Sequence, residues 1–335
     1  MLSSTTSNLS VCFLSVAIVI LSNCTKCPGE EASSIALPST SNSSTSNSST
    51  SNSSTSNSSI GNPSDSKQDA TKKETKNAVK RVENKSEIPL RIEREIVFTE
   101  GDGYQTAADL YRPASDDVCP IVIMIHGGAW ISGDKWQVAD HAKQMARKGF
   151  VVMAINYRLS PKHKWPAHLD DCFAALSWIS KHATEWRADI ERVGTWGYSA
   201  GAQLALLTAL NSRADLPKVR AVVAGGAPCD LTFIPENTKA LATVLGGTRA
   251  EVPERYRNAS PISFVSQDAP PVYFFHGDDD FLVPLSNSIQ MHESLLAKGI
   301  DTVHRTIAGK GHLIAFLDQQ SRLEAIEFLE KFLKS

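Results

Sequence analysis

The sequence predicts an α/β domain over residues 86–335: a mostly parallel, twisted sheet of about eight strands with helices on both faces. Three observations carry that expectation. Short unbroken apolar runs recur along the chain, amphipathic stretches lie between them, and the first two runs are close enough to form a hairpin. An unbroken apolar run of strand length suits burial on both faces of a sheet. Its regular alternation with amphipathic segments suits parallel strands joined by helical crossovers.

The elements follow in order. Arg94–Thr99 and Gln105–Tyr111 flank "EGDGY", a turn-rich link that predicts an antiparallel hairpin. Six further strands are expected in "CPIVIMIHGG", "GFVVMAINYR", "RVGTWGYS", "VRAVVAGGAP", "PPVYFFHGD" and "DTVHRTIAGKG". Helices are expected at Ala139–Arg147, His168–His182, Gln203–Asn211, Ser286–Lys298 and Arg322–Leu333, where apolar residues recur at helical spacing. In such sheets the chemistry gathers at the carboxyl ends of the strands. The residues just after each run are therefore the candidates for function.

The first 85 residues have a different character. The apolar run Val11–Leu21 is too short for a membrane-spanning helix, which needs about 20 apolar residues, and suits an export signal over residues 1–24. It departs from the usual signal in having no Lys or Arg before it. "LSNC" resembles a bacterial lipoprotein box ending at Cys24, with Asn23 where a small residue is usual, so a lipid anchor through Cys24 stands beside simple secretion. Residues 25–85 hold "SNSST" three times, the near-copy "SNSSI", and then a charged stretch. With so few apolar side chains, this segment cannot offset the entropy of ordering and reads as a disordered linker.

Charge and cysteine usage narrow the classes further. A net charge of −2 gives no reason to expect nucleic acid or an anionic membrane surface as a partner. Of six cysteines, Cys12, Cys24 and Cys27 fall in or beside the signal, and "CTKC" lacks the βαβ context of a redox motif. Cys119, Cys172 and Cys229 are an odd set that implies no disulfide framework and reads as small core residues. The nine histidines are scattered without HExxH spacing, so neither a metal nor a cofactor is expected.

The strand ends carry the chemistry. After "RVGTW" comes Gly197-Tyr198-Ser199-Ala200-Gly201, a serine between glycines where a strand passes into a helix. At such a turn the glycines leave room for a strained backbone that exposes the serine hydroxyl above the sheet. A serine nucleophile needs a base, because its proton is not lost near neutral pH. His312, in "GKGH" after the last strand, is the candidate. The remaining histidines lie in helices, loops or a strand; His126 and His276 end strands and are expected to support loop backbones.

A carboxylate should hold the imidazole in its working tautomer. Asp278, Asp279 and Asp280 compete in "HGDDDFLVP", and the spacing to Pro284 favours Asp280, with Asp230 in "GAPCDL" as the rival. Backbone amides of Gly128 and Ala129, in the flexible Gly127-Gly128 loop, are expected to form an oxyanion hole with that of Ala200. Trp130 is expected to pack beneath this loop. An insert over about residues 231–267 should form part of a lid and acyl pocket, with Phe233, Leu241, Leu245 and Tyr256 making it moderately apolar, either as pocket wall or as packing within the cap.

The ordered set "HGGAW", "INYRLSP", "WPAHLDD", "GYSAG", "SPISFV", "HGDDDFLVP" and "GKGH" resembles the α/β-hydrolase superfamily over about residues 90–335. The likeness is to its esterase/lipase branch, which includes hormone-sensitive-lipase relatives, feruloyl and acetyl esterases and kynurenine formamidase. It implies Ser199 as nucleophile, Asp280 as acid, His312 as base, residues 127–129 as oxyanion loop and Asp171 as a structural support. Two departures stand out. Ala202 replaces the usual second glycine after the serine, and Ala129-Trp130 stand where lipases often have a third glycine, which tilts the likeness towards esterases and formamidases. The implied activity is hydrolysis of carboxylic esters, on small molecules or polysaccharides, through an acyl-enzyme. Cleavage of an amide, formamide or peptide bond by the same machinery is the alternative, and a binding protein on a retired hydrolase fold is a third reading from another class.

Overall fold

The computed structural model describes residues 88–335, apart from residue 102. The expected export signal, Cys24 and the Ser/Asn-rich linker lie outside the described residues. Eight strands form one sheet: β1 (Leu90–Gly101), β2 (Tyr104–Pro113), β3 (Cys119–Ile125), β4 (Val151–Ile155), β5 (Ala188–Tyr198), β6 (Val219–Gly225), β7 (Val272–Gly277) and β8 (Thr302–Ile307). Their order across the sheet is β1-β2-β4-β3-β5-β6-β7-β8. The β1–β2 and β2–β4 pairs are antiparallel, and every later pair is parallel. This is the α/β-hydrolase architecture, with the antiparallel start that the "EGDGY" link announced.

Helices cover both faces: α1 (Ala139–Ala146), α2 (Ala167–Trp186), α3 (Ala200–Leu210), α4 (Ala242–Leu245), α5 (Pro253–Asn258), α6 (Ser286–Leu296), α7 (His312–Phe316) and α8 (Gln319–Leu333). All seven residues of β3 are buried. Its alternate side chains divide between two cores, Ile121, Ile123 and Ile125 towards α2 and α3, and Val122 and Met124 towards α1 and α8. Period-two alternation in a sheet covered twice leaves no polar face, which is why these strands read as unbroken apolar runs.

Three boundaries differ from expectation in ways that matter for the site. Helix α3 begins at Ala200, immediately after the serine, rather than at Gln203. It is buried nearly all round, from Ala200 to Thr208, so small residues rather than an apolar stripe mark its first turn. Helix α8 begins at Gln319, ahead of the apolar periodicity at Arg322, because Asp318 caps it by accepting from the Ser321 amide at 2.8 Å. Between β8 and α8, His312 opens the short helix α7, which the alternation of longer elements concealed.

Candidate active site

The site is built where β5 passes into α3. Ser199 occupies φ 56°, ψ −123°, a strained conformation for a residue with a side chain. Its amide donates to Gly225 O on neighbouring β6 at 2.8 Å. The flanking glycines make room for the turn. A Cβ on Gly197 would lie 2.1 Å from Gly201 O, and one on Gly201 would lie 2.2 Å from Ile125 O. The start of α3 thus sits directly on the end of β3 and presses Ser199 up into the cleft.

The loop after β3 supplies the facing wall. A Cβ on Gly127 would stand 3.0 Å from Tyr198 O and 3.4 Å from Ser199 Cβ, so this bare α-carbon lets the loop lie against the elbow. Gly128 turns at φ 120° with its carbonyl accepting from the amides of Ile131 and Ser132. Among the described residues, the amides of Gly128, Ala129 and Ala200 enter none of these turn bonds.

Two side chains brace the loop from below. His126 is fully buried, stacks on Tyr157 with ring centres 4.5 Å apart, and its Nδ1 donates to Gly127 O at 2.7 Å. Burial pulls its pKa down to about 4, so the ring is neutral near pH 7. Trp130 donates from Nε1 to Gln203 Oε1 at 3.0 Å, tying the loop to α3, while its ring also reaches the pocket wall. Gln203 passes the tie onward from Nε2 to Ala259 O at 2.6 Å.

Asp280 stands in the loop after β7 and is buried with His312. Its Oδ2 accepts from His312 Nδ1 at 2.6 Å, and its Oδ1 accepts from the amides of Leu282 and Val283 at 3.0 and 2.9 Å. Burial pushes the carboxyl pKa up, but hydrogen bonds from His276, His312 and Val283 outweigh it and hold the group well below the usual carboxylate range. None of the rival acids hydrogen-bonds to His312 among the described residues, although Asp230 also lines the pocket. Asp278 accepts from the Gly309 amide, Asp279 is exposed, and Asp230 accepts from the Thr232 amide and hydroxyl. The imidazole of His312 lies close over Gly226, where a Cβ would stand 3.0 Å from its Cε1. Tyr198 also donates its hydroxyl to the His312 carbonyl.

Ser199 and His312 open into one pocket of about 210 Å³. Its wall is largely apolar, with Leu231, Phe233, Ile234 and Leu241 on one side and Leu282, Val283 and Leu313 on the other. Of the four apolar residues singled out in the insert, Phe233 and Leu241 line the pocket. Leu245 and Tyr256 do not line it; both are buried in the covering segment, and the Tyr256 hydroxyl is spent on Gly247 O. Leu282, Val283 and Leu313 were missed, although they neighbour the acid and the base in the chain. Asp171 holds Arg158 through its backbone amide at 2.7 Å and its Nε at 2.9 Å, a structural support away from the pocket. Cys119, Cys172 and Cys229 are buried and unpaired.

The BD-FAE family model matches residues 108–295, more than half of the chain, from β2 through most of α6. The chain belongs to the BD-FAE family of α/β-hydrolases. Similar curated proteins from Mycobacterium tuberculosis include the probable carboxylic ester hydrolase LipM, 32% identical over 54% of this chain and 46% of the relative. Esterase LipC is 30% identical over 59% of this chain and 54% of the relative. This BD-FAE chain therefore spans about half the length of the curated relatives it matches. Among solved structures, a truncated carbohydrate esterase from gut microbiota has a TM-score of 0.67 at 21% identity, covering 75% of this chain and 99% of that one. A bacterial heroin esterase has a TM-score of 0.64 at 23% identity, covering 75% and 86%. At such identities these two likenesses show that the BD-FAE chain shares their fold.

Proposed function

We propose that this BD-FAE domain hydrolyses carboxylic esters, with Ser199 as nucleophile, His312 as general base and then acid, and Asp280 as the carboxylate that orients it. The observation that carries the reading is the Asp280–His312 bond at 2.6 Å, beside a strained serine that shares its pocket. His312 Nδ1 carries the proton given to Asp280, so Nε2 is free to take the Ser199 hydroxyl proton as Oγ attacks the ester carbonyl. The carbonyl oxygen gains negative charge opposite the amides of Gly128, Ala129 and Ala200. The C–O bond to the alcohol breaks, and His312 returns the proton to the leaving oxygen. Water then attacks the acyl-enzyme by the same route in reverse, releasing the acid and Ser199.

The pocket supports a small acyl or alcohol group. A volume of about 210 Å³ has room for roughly seven water-sized groups, enough for a short chain or a single ring. Aromatic or acetyl esters of polysaccharides are the class we favour. The carbohydrate-esterase fold neighbour supports it, and export with a lipid anchor at Cys24, which we propose from the sequence, would place the domain where such polymers occur. Ser199→Ala is expected to lower turnover of p-nitrophenyl acetate by several orders of magnitude while leaving the melting temperature near that of the parent. Undiminished turnover by that variant refutes the proposal. Parallel assays on an N-formyl aromatic amine and an aminoacyl anilide separate ester from amide cleavage. Loss of fatty-acid labelling on Cys24→Ser tests the anchor.

A further inference from the structure

The triad carboxylate receives more than the triad requires. Besides His312, a second imidazole reaches the same oxygen: His276 Nε2 lies 3.0 Å from Asp280 Oδ2 and 2.9 Å from Val283 O. His276 ends β7 and is completely buried. Both oxygens can only accept, so Nε2 must carry a proton. At the other side of the ring, Nδ1 lies 2.7 Å from Ser288 Oγ, on α6. The Ser288 hydroxyl also donates to Leu285 O at 3.1 Å, so it holds the Nδ1 edge of the ring from α6. Ser288 Oγ in turn lies 2.9 Å from His304 Nε2, on β8. Burial, with His292 and His276 nearby, lowers the His304 pKa to about 4, so near neutral pH that ring is uncharged and has one proton to give.

A chain of hydrogen bonds thus links His304, Ser288 and His276 to Asp280. Each comes from a different part of the fold, and together they leave the carboxylate with four donors: two amides on Oδ1 and two imidazoles on Oδ2. We propose that His276, backed by Ser288 and His304, is a positioning residue of the active site, holding Asp280 Oδ2 in line with His312 and sharing its charge. This rests on the esterase reading above and adds to His276 a role beyond the support of the loop backbone through Val283 O.

The consequence is a specific pH effect. Each imidazole bond stabilises the carboxylate, so the His276 bond leaves less of that charge available to an imidazolium at 312. Without it, the imidazolium is held more firmly, loses its proton at higher pH, and the acid limb of kcat/KM moves up. The other titratable or charged groups around this line are Asp278 and Asp279 on the β7 loop, His292 and Glu293 on α6, His304 on β8 and Tyr198 on β5. None of them donates to Asp280 in place of His276.

The test uses the full chain with p-nitrophenyl acetate, together with the downfield proton NMR resonance of the Asp280–His312 bond, which needs no substrate. His276→Phe is expected to lower kcat by about 10- to 100-fold with little change in KM, and to move the acid limb up by about 0.5–1 pH unit. His276→Gln, whose amide can reach the same oxygen, should recover most of that loss. Ser288→Ala, which removes the 2.7 Å contact that holds the ring at Nδ1, should shift the limb and the resonance in the same direction as His276→Phe but by less. Equal kcat in the Phe and Gln variants, with the parent acid limb in both, overturns the proposal. If His276→Phe does not fold, Ser288→Ala decides: an unchanged acid limb and resonance overturn it. Should the parent protein show no ester turnover, the esterase reading fails, and a resonance unmoved by Ser288→Ala overturns the positioning role separately.

Discussion

Replacing Gly201 by alanine places the steric argument for the elbow under direct test. The new Cβ would sit 2.2 Å from Ile125 O and 2.5 Å from His126 O, and both are backbone atoms at the end of β3. Ordinary contact begins near 3.4 Å, so the first turn of α3 must retreat by about 1.2 Å (3.4 − 2.2). The sheet cannot yield easily, because β3 is hydrogen-bonded on both sides, to β4 and β5. Ser199 moves with the helix, away from the amides of Gly128 and Ala129. A misplacement of about 1 Å costs on the order of 10²-fold in rate. Overpacking costs about 1–3 kcal/mol, which for a domain of this size lowers Tm by about 2–12 °C. Thermal unfolding and p-nitrophenyl acetate kinetics on the same preparation measure both. The control is Gly299→Ala, where φ is 76° and no atom lies within 4 Å, so only the left-handed backbone cost of about 1 kcal/mol applies and kcat holds. A Gly201→Ala enzyme with the parent kcat and Tm would refute the close-packing argument for the motif.

Other perturbations follow from the same geometry. Asp280→Asn presents an amide to two imidazole donors and should lower kcat by about 10³- to 10⁴-fold, whereas Asp230→Asn, which lines the pocket but accepts from Thr232 rather than His312, should not; a comparable loss in both would reassign the acid. Leu282→Trp should fill the pocket and raise KM for butyrate over acetate esters, and an unchanged ratio would place the acyl group elsewhere. Stability should fall in mild acid. Burial lowers the pKa of His126 and His168 to about 4, and burial with Arg322 lowers that of His141 to about 3. The unfolded chain takes up these protons near pH 6.5, so stability is full above that pH and is lost as pH falls towards 4. Three such groups remove about 4 kcal/mol per pH unit once the unfolded chain is charged (3 × 1.36). Melting temperatures from pH 7.5 down to 5 measure this, and a flat profile would contradict neutral burial of these rings.

What the sequence made legible follows the range of the interactions involved. The elbow at Ser199 could be read because its constraints are local: two glycines within two residues of the serine clear the contacts that the turn creates. Asp280 and His312 could be singled out because each follows a strand in a parallel sheet, and strand ends in such sheets meet on one side. The start of α3 was concealed, since periodicity detects a helix with one apolar stripe and this one is buried nearly all round.

Within the covering segment, lining and packing residues were indistinguishable for a related reason. Hydrophobicity alone cannot distinguish a side chain that lines a cavity from one that fills the space behind it. Phe233 is 56% exposed and Tyr256 fully buried, yet both are simply aromatic residues in the same insert. The second imidazole on Asp280 was the hardest to see. His276, Ser288 and His304 come from β7, α6 and β8, and no spacing between them signals that they meet. The acid itself is written in a motif, but the donors that set its charge and direction are assembled only by the crossover from β7 through α6 to β8. The prediction that distinguishes them from ordinary packing is therefore a pH profile, because loss of packing lowers stability without moving the acid limb of kcat/KM.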